Sequence, residues 1–284
     1  MPAAVRDVID VLKLRIGVAI ALSAVAGFFV TPGPVQPAWR IVVLALAVLL
    51  SSAAAGAFNQ YFERDLDARM KRTRNRPFVA GRFNADARWL FLMALLLIAG
   101  TGLALSVGVV AAGHVLMGAL IYGVVYTVWL KRRTPWNIVI GGLAGSFAVL
   151  AGAAAADPRP SPLPVILAMT MFLWTPPHFW TLALARRAEY AAARVPMLPV
   201  IMEPRPAARV ILAHAIVLTA VSFLPAGFGL GIPYLVCAML GGGLFIALCW
   251  RLAAQPTREN AMTAFFGSLA QLQFMIVGVL LEAL

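Results

Sequence analysis

Apolar stretches long enough to cross a lipid bilayer follow one another along almost the whole chain. They lie at about residues 16–31, 39–58, 89–107, 111–130, 136–155, 163–185, 207–227, 231–250 and 262–281. A transmembrane helix needs roughly 20 apolar residues, and 62% of the 284 residues are hydrophobic while only 12% are charged. The sequence therefore predicts an all-α polytopic membrane protein with nine transmembrane helices, in which residues 1–284 form a single domain. The run from Trp89 to Leu130 is too long for one span, so we expect a turn between Ser106 and Gly113.

The distribution of basic residues predicts the orientation of the chain. Lys and Arg number 23 against 11 Asp and Glu, giving a net charge of +12, which by itself would also suit a protein that binds nucleic acid. Counted loop by loop, however, 21 of the 23 fall on one side of the predicted helices, and only Arg40 and Arg159 fall on the other. Because cytoplasmic loops are rich in Lys and Arg, we expect the N-terminus in the cytoplasm and the C-terminus outside. The polar segment before the first apolar stretch has no signal-peptide pattern.

Three acidic residues, Glu63, Asp65 and Asp67, lie where the second apolar stretch ends, on the predicted cytoplasmic side. Asn59, Glu63 and Asp67 follow one another at intervals of four residues. On a helix this spacing keeps the three side chains within roughly 80° of one face and about 6 Å apart along the axis. Oxygen ligands in such a row suit a hard cation such as Mg²⁺. The alternative is a solvated helix end whose acids pair with neighbouring arginines. Asp65 would point away from the row if the helix continues.

A basic cluster follows this row of oxygen ligands directly. Its members are Arg69, Lys71, Arg72, Arg74 and Arg76. Guanidinium and ammonium groups bind the phosphates that often accompany Mg²⁺, so the pattern predicts a magnesium diphosphate site at a membrane surface. Most of the cluster is equally explained as a topology signal that binds anionic lipid headgroups, in which case only one or two of its residues contact a substrate. The same two interpretations apply to Lys131, Arg132 and Arg133.

The sixth apolar stretch contains a second group of polar residues. Pro176 and Pro177 predict a break in the helix about two turns before its cytoplasmic end, and such a break is tolerated where it lines a cavity. Just beyond it, His178, Arg186 and Glu189 share one helical face. This group and the row at Asn59, Glu63 and Asp67 both end helices that run from outside to inside. We therefore expect them to converge on one cavity.

Histidines inside the apolar stretches are candidates for ligand binding. An ionisable residue within a membrane segment is a functional candidate by default, and His178 lies beside the predicted helix break. The structural alternative is a buried imidazole held by a backbone carbonyl. His214, about two turns into the seventh stretch, is a second candidate, whereas His114 is expected to be structural.

The row of Asn59, Glu63 and Asp67 resembles the first aspartate-rich motif of the UbiA superfamily of intramembrane prenyltransferases. Further segments resemble the branch of that superfamily that farnesylates protohaem. They are Glu63-Arg64-Asp65-Leu66-Asp67 with Met70, Arg72-Thr73 and Arg76-Pro77; Tyr126-Thr127 with Leu130-Lys131-Arg132; Thr134-Pro135 with residues 137–142; Pro177-His178-Phe179-Trp180; and residues 196–200. These motifs span residues 59–200, and the nine-helix layout extends the resemblance over nearly the whole chain.

The resemblance implies a central cavity among nine helices, in which Mg²⁺ and basic side chains hold farnesyl diphosphate. It also implies transfer of the farnesyl group to the 2-vinyl carbon of haem B, with water supplying a hydroxyl group, to give haem O and diphosphate. Carried over by position, the implied metal ligands are Asn59, Glu63 and Asp67, with Arg72, Arg76, Lys131 and Arg186 around the diphosphate and Tyr126 in the same pocket. With haem as the acceptor, the expected haem-binding residues are His178, His214 and Glu189. The same resemblance implies a bacterial cytoplasmic (inner) membrane, an active site on its cytoplasmic face, and a downstream haem A synthase or terminal oxidase assembly as a partner.

Three features depart from the pattern of the superfamily. Position 63 is Glu where the motif usually has Asp, which lengthens one ligand by a methylene group. His178, Arg186 and Glu189 stand in place of the second aspartate-rich motif of the wider superfamily, which bears on whether a second Mg²⁺ binds. Thr175 stands where Gln is expected.

Two other functions fit parts of the sequence. A secondary transporter would also contain a broken helix and polar groups within the membrane, although here the polar clusters lie at the cytoplasmic face rather than at mid-bilayer. A prenyltransferase that acts on a quinone precursor or chlorophyllide would keep the diphosphate site and differ around His178.

Overall fold

A computed structural model describes residues 3–282, and every regular element in this part of the chain is a helix. The α-helices are α1 (Ala3–Val11), α2 (Leu14–Phe29), α3 (Ala38–Phe62), α4 (Arg64–Asp67), α5 (Ala87–Leu105), α6 (Val109–Leu120), α7 (Asn137–Gly141), α8 (Leu143–Ala156), α9 (Pro162–Ala185), α10 (Arg187–Ala192), α11 (Leu198–Ile201), α12 (Pro204–Ser222), α13 (Ile232–Ala254) and α14 (Arg258–Glu282). A π-helical segment, Ile121–Leu130, continues α6, and a short 3₁₀ helix, Leu224–Phe228, follows α12.

Seven helical segments are long and apolar enough to cross a membrane, judged by length and composition within the described residues. They are Ala38–Phe62, Ala87–Leu105, Val109–Leu130, Asn137–Ala156, Pro204–Phe228, Ile232–Ala254 and Arg258–Glu282. The other two predicted spans are helical as well, but α2 has only 16 residues, and α9 contains prolines and a histidine that reduce its hydropathy. The chain is thus a multi-pass membrane protein, and the count of nine spans stays a prediction. The predicted turn is confirmed, because α5 ends at Leu105 and α6 begins at Val109.

The helices α2 and α8 approach each other closely because each has a glycine at the contact. A Cβ atom on Gly152 would collide with the carbonyl oxygen of Ala24, and one on Gly27 would collide with the carbonyl oxygen of Val149. Small residues let membrane helices pack backbone against backbone. Since α2 also packs on α3, and α8 on α6 and α9, this contact joins the first helices of the bundle to its middle.

The predicted break at Pro176 and Pro177 is wrong. Helix α9 runs without interruption through both prolines. Each proline removes one backbone donor, but α9 packs against α8, α12 and α14, and this packing holds the helical backbone where the hydrogen bonds are missing. The interruptions lie instead at Gly142, between α7 and α8, and at Arg186, between α9 and α10.

The π-helical segment widens the last turns of the long helix that begins with α6. The amide of Lys131 donates to the carbonyl of Tyr126, five residues earlier, at 2.9 Å. Such π-helical turns are wider than α-helical ones and occur frequently at functional sites. Here the segment brings Thr127 into contact with Asn59 of α3.

Arg40 holds the opposite end of the bundle together. Its guanidinium donates to the carbonyl of Ala155 at 2.8 and 3.1 Å, and to the carbonyl of Val107 at 2.6 Å. Ala155 lies in the last turn of α8, and Val107 lies just after α5, where helix ends leave carbonyl groups without helical partners. Asn59 lies nineteen positions after Arg40 in α3, a distance of about 28 Å along the helix.

Candidate active site

Asn59, Glu63 and Asp67 form one buried row at the end of α3. The amide of Glu63 donates to the carbonyl of Asn59 at 3.0 Å, and the amide of Asp67 donates to the carbonyl of Glu63 at 2.9 Å. The helical hydrogen-bond pattern therefore continues from α3 into α4 and keeps the three side chains on one face. Their exposed fractions are only 2%, 1% and 3%, so the row is not a solvated helix end, although its acids do pair with basic residues.

Each member of this oxygen row accepts a hydrogen bond from a basic side chain. The pairs are Lys13 Nζ with Asn59 Oδ1 at 2.5 Å, Lys131 Nζ with Glu63 Oε2 at 2.5 Å, and Arg76 Nη1 with Asp67 Oδ2 at 2.6 Å. The three basic groups come from the turn before α2, the end of the π-helical segment and the loop after α4, so tertiary folding assembles the site. One oxygen, Glu63 Oε1, is buried with no hydrogen-bond partner in the described part of the chain. Such an atom costs free energy, and a metal ion at this position would satisfy it.

Lys13 is a candidate that the sequence analysis missed. Its backbone is left-handed, with φ of 50° and ψ of 38°, which is uncommon for a residue with a side chain. Besides Asn59, its Nζ atom contacts the hydroxyl of Tyr122 at 3.1 Å. Burial, together with the nearby Arg76, lowers the pKa of Lys13. In the sequence Lys13 is one of three basic residues before the first apolar stretch, where no local pattern distinguishes it from a topology signal.

The π-helical segment forms the side of the site next to the oxygen row. Thr127 Oγ1 accepts a hydrogen bond from Asn59 Nδ2 at 3.0 Å, and the ammonium of Lys131 lies 5.5 Å from the ring centre of Tyr126. A Cβ atom on Gly141 would lie 2.8 Å from the Tyr126 ring, so glycine at that position leaves room for the tyrosine. Tyr126 therefore lies beside Lys131 and close to the row.

Glu189 links the loop after the oxygen row to the second polar group. Its Oε2 atom accepts from the backbone amide of Arg72 at 3.3 Å, and its Oε1 atom accepts from Arg186 Nη1 at 3.0 Å. Partial burial would raise the pKa of Glu189, but the hydrogen bonds from Arg186 and Arg72 lower it below its ordinary value. Glu189 and Arg186 therefore contact the loop that follows the row, and convergence of the two polar groups on one cavity stays a prediction. Arg186 also has a buried Nε atom without a partner among the described residues.

Asp65 lies outside the row, as its position on the helix predicts. Its side chain is 51% exposed and accepts two hydrogen bonds from Arg132, at 2.7 and 2.8 Å. Partial burial would raise the pKa of Asp65, but the Arg132 guanidinium lowers it. Arg132 is thus engaged away from the row, whereas its neighbour Lys131 reaches Glu63.

His178 lies inside the bundle, between two aromatic rings. Its imidazole stacks on Trp174, with ring centres 4.3 Å apart, and on Phe265, with ring centres 4.6 Å apart. Its Nδ1 atom lies 2.7 Å from Ser268 Oγ, and this serine donates its single hydroxyl proton to the carbonyl of Phe265 at 2.6 Å. The hydrogen-bond network therefore assigns the proton to Nδ1 and leaves a lone pair on Nε2.

The continuous face predicted from His178 to Glu189 is interrupted. Helix α9 ends at Ala185, and Arg186 leaves the helical conformation with φ of −118° and ψ of 26°. Within residues 3–282, His178 forms no hydrogen bond or ion pair with Arg186 or Glu189, and its hydrogen bond goes to Ser268 of α14 instead.

The other two histidines have aromatic neighbours as well. His214 meets Trp180 edge to face, with ring centres 5.4 Å apart, and both His214 Nε2 and Trp180 Nε1 are buried without partners among the described residues. His114 packs on Phe147 at 5.7 Å, in keeping with a structural role.

The composition of the oxygen row decides which metal it suits. Within residues 3–282, no group of three or more His, Cys, Asp or Glu side chains is arranged to hold a metal ion. The row instead combines two carboxylates with one amide, and all three groups offer oxygen. Mg²⁺ prefers oxygen and is commonly bound by one or two carboxylates together with substrate phosphates. The residues therefore fit a magnesium ion that is shared with a diphosphate.

The fold occurs in solved structures whose sequence identity to this chain is low. A digeranylgeranylglyceryl phosphate synthase has a TM-score of 0.80 at 18% identity, over 98% of both chains. A UbiA homolog from Archaeoglobus fulgidus, solved with GPP and Mg²⁺, has a TM-score of 0.75 at 15% identity, over 98% of this chain and 100% of that chain. The model of the UbiA prenyltransferase family matches residues 20–271. The chain therefore belongs to the UbiA prenyltransferase family.

Within that family, the similarity to protoheme IX farnesyltransferases extends over the full length. Protoheme IX farnesyltransferase 2 from Paramagnetospirillum magneticum is 54% identical over 285 residues, covering 100% of this chain and 99% of the relative. Protoheme IX farnesyltransferase 1 from the same organism is 41% identical over 276 residues, covering 96% and 97%. The protoheme IX farnesyltransferase of Rhizorhabdus wittichii is 39% identical over 279 residues, covering 96% and 92%.

Proposed function

We propose that this protein transfers the farnesyl group of farnesyl diphosphate to the 2-vinyl group of haem B, with addition of water, to give haem O and diphosphate. The observation that carries the proposal is the buried oxygen row, in which every member accepts a hydrogen bond from a basic side chain and Glu63 Oε1 lacks a partner. Relatives named protoheme IX farnesyltransferase support haem as the acceptor. The UbiA homolog bound to GPP and Mg²⁺ supports a prenyl diphosphate as the donor.

The oxygen row is the proposed magnesium site, with Asn59, Glu63 and Asp67 as ligands. When bound, Mg²⁺ supplies positive charge that stabilises the leaving diphosphate. The hydrogen bonds of Lys131 and Arg76 with this row support their roles in binding phosphate oxygens.

Arg72 and Arg186 are the proposed diphosphate contacts on the other side of the site. Glu189 accepts a hydrogen bond from the backbone amide of Arg72 and another from the guanidinium of Arg186, so the two arginines lie close to each other. The unpartnered Nε atom of Arg186 is a buried donor that an anion would satisfy. Glu189, which the sequence assigned to haem binding, is better explained as the residue that positions these two arginines.

The reaction requires no nucleophilic side chain. The bond between farnesyl C1 and the diphosphate oxygen breaks, and its electron pair stays on the diphosphate. The vinyl π electrons of haem then form the new bond to C1, and the cation left on the adjacent vinyl carbon takes up water and releases a proton. Basic side chains stabilise the charge that develops on the diphosphate, while the apolar helices keep water from the farnesyl cation until it has reacted. Tyr126 contributes an aromatic face, which attracts positive charge.

His178 is the proposed axial ligand of the haem iron. Its Nδ1 atom donates to Ser268, which leaves the Nε2 lone pair for a metal, and a hydrogen bond at the second nitrogen is the usual way in which histidine ligands are oriented. Flat apolar rings on both sides, Trp174 and Phe265, also suit a porphyrin environment. His214, beside Trp180, is the alternative ligand.

The placement in the membrane is part of the proposal. Nine spans, a cytoplasmic N-terminus and a cytoplasmic active-site face are supported by the 21 basic residues on one side of the predicted helices. The proposed location is a bacterial cytoplasmic membrane, residues 1–284 act as one domain, and a haem A synthase or terminal oxidase assembly is the proposed recipient of haem O.

Analysis of membrane haems tests this function directly. The protein is expressed in a bacterium that makes haem B but no haem O, and the haems are extracted and identified by mass spectrometry. Haem O is expected with the wild-type chain and not with Asp67→Asn. If haem B remains the only haem while the protein accumulates in the membrane, the proposed acceptor is wrong. A prenylated quinone precursor or chlorophyllide in the same extracts would identify the alternative.

A further inference from the structure

Lys13 contacts the one neutral member of the oxygen row. Its Nζ atom hydrogen-bonds to Asn59 Oδ1 at 2.5 Å, the atom that would ligate Mg²⁺. A magnesium–oxygen bond is about 2.1 Å long and allows little deviation from octahedral geometry. The ammonium and the metal would share one oxygen, and repulsion between two cations at that distance would displace Lys13.

The surroundings of Lys13 indicate what kind of group would receive it. Both of its hydrogen-bond partners, the amide of Asn59 and the hydroxyl of Tyr122, are neutral. The two acids of the row are each paired with another basic residue, Lys131 or Arg76, and none of the ion pairs within residues 3–282 includes Lys13. A partly buried ammonium group without an ionic partner is stabilised by an anion that enters the site.

The backbone at Lys13 supports a specific role for its side chain. A left-handed residue other than glycine is strained, and such strain is concentrated at active sites and ligand contacts. Lys13 has this conformation in the turn between α1 and α2, and its side chain spans from the turn to the end of α3 and to the π-helical segment.

We propose that Lys13 is a further diphosphate-binding residue, and that it exchanges Asn59 for a phosphate oxygen of farnesyl diphosphate when Mg²⁺ binds the row. The inference rests on the proposed function, because it takes the row as the magnesium site. No covalent bond changes in this step. Metal without diphosphate would displace the ammonium from Asn59 and supply no new anionic partner, since both acids of the row are already paired, so Mg²⁺ and the diphosphate bind cooperatively.

Substitution of Lys13 by Met, which has a similar length and no charge, tests the exchange. The purified protein in lipid nanodiscs is titrated by calorimetry, first with Mg²⁺ alone and then with farnesyl diphosphate at saturating Mg²⁺. We expect Lys13→Met to weaken farnesyl diphosphate binding by roughly 10- to 100-fold, the effect of losing one charge-assisted hydrogen bond. We expect the same substitution to strengthen binding of Mg²⁺ alone, because nothing then competes for Asn59 Oδ1.

Two further variants serve as controls. Lys13→Arg keeps the charge and is expected to retain most of the diphosphate affinity. Arg15→Met removes one charge from an exposed position two residues away, and is expected to leave both affinities unchanged. If Lys13→Met weakens farnesyl diphosphate binding and strengthens binding of Mg²⁺ alone, the exchange is supported. If the substitution weakens both affinities or changes neither, Lys13 has only a structural role and the inference is overturned.

The wild-type protein supplies a second measurement that does not depend on how well the variant folds. An amine-directed reagent is applied, and modification of Lys13 is quantified by mass spectrometry relative to the exposed Lys71. Farnesyl diphosphate with Mg²⁺ is expected to protect Lys13 more than Mg²⁺ alone, and equal modification under both conditions contradicts the proposal. If the wild-type chain binds no farnesyl diphosphate at all, the proposed function itself fails; if it binds and Lys13→Met binds equally well, only this inference fails.

Discussion

Substitution of Glu63 by Gln would test the oxygen row with the smallest possible change in shape. The side chain is 1% exposed, and its Oε2 atom lies 2.5 Å from Lys131 Nζ while Oε1 is buried without a partner. An amide has one acceptor end and one donor end. If its oxygen faces Lys131, the NH₂ group faces the position proposed for the metal, and if the oxygen faces the metal, the NH₂ group faces the Lys131 ammonium. Either orientation opposes a donor to a positive charge.

The magnitude follows from the contacts that are lost. A hydrogen bond to a charged partner contributes about 1.5–3 kcal/mol, which corresponds to roughly a 10- to 150-fold loss of affinity. We therefore expect Glu63→Gln to raise the Mg²⁺ concentration needed for half-maximal farnesyl diphosphate binding by about that factor. Glu63→Asp keeps the charge, shortens the ligand by one methylene group, and should lose less.

The assay is a titration of farnesyl diphosphate binding with Mg²⁺, performed on the purified protein in lipid. Adding Lys131→Met to the Gln variant separates loss of the metal ligand from loss of the ion pair, because paired residues give changes that do not add. If Glu63→Gln has the Mg²⁺ dependence of the wild-type protein, the carboxylate is not a ligand and the magnesium assignment of the row is wrong.

Three further outcomes are expected. Asp67→Ala should abolish haem O formation while the protein still accumulates in membranes, as checked by haem extraction alongside an immunoblot; full activity would refute the metal assignment. His178→Ala should weaken haem binding and shift its Soret absorption while farnesyl diphosphate affinity stays unchanged, with His214→Ala measured beside it; if neither variant changes the haem spectrum or affinity, neither His178 nor His214 is the ligand, and haem is held by the shape of the cavity and by its propionates. Gly152→Leu should prevent α2 and α8 from packing and lower the unfolding temperature, whereas Gly113→Leu, at an open position of α6, should not.

Features that depend on short segments of chain were predictable from the sequence. The turn between α5 and α6 follows from the length of an apolar run that exceeds one bilayer span. The shared face of Asn59, Glu63 and Asp67 follows from their four-residue spacing, because the helical hydrogen bonds continue through Glu63 into α4. The outward position of Asp65 follows from the same periodicity. These features are set by residues that are close in the sequence or by the thickness of the membrane.

Features that depend on distant contacts were not predictable in the same way. Lys13 and Asn59 are 46 residues apart, and Glu63 and Lys131 are 68 apart, so nothing in either segment specifies the partner. The left-handed backbone at Lys13 is likewise invisible in its sequence. The helix break predicted at Pro176 is absent. The sequence does reveal that proline disfavours a helix interior, but packing of neighbouring helices against α9 outweighs this local preference.

Arg40 constrains the order in which this membrane protein can be assembled. The chain is synthesised from its N-terminus, and the carbonyls that Arg40 holds lie 67 and 115 residues further on. Until those residues have entered the membrane, the guanidinium has no helix end to bind, and we expect it to remain hydrated at the bilayer surface. The contact with Ala155 then joins α8 to α3 and the α5–α6 turn. A nascent chain that ends before Ala155 therefore cannot complete the contact, and its early helices stay free to exchange neighbours.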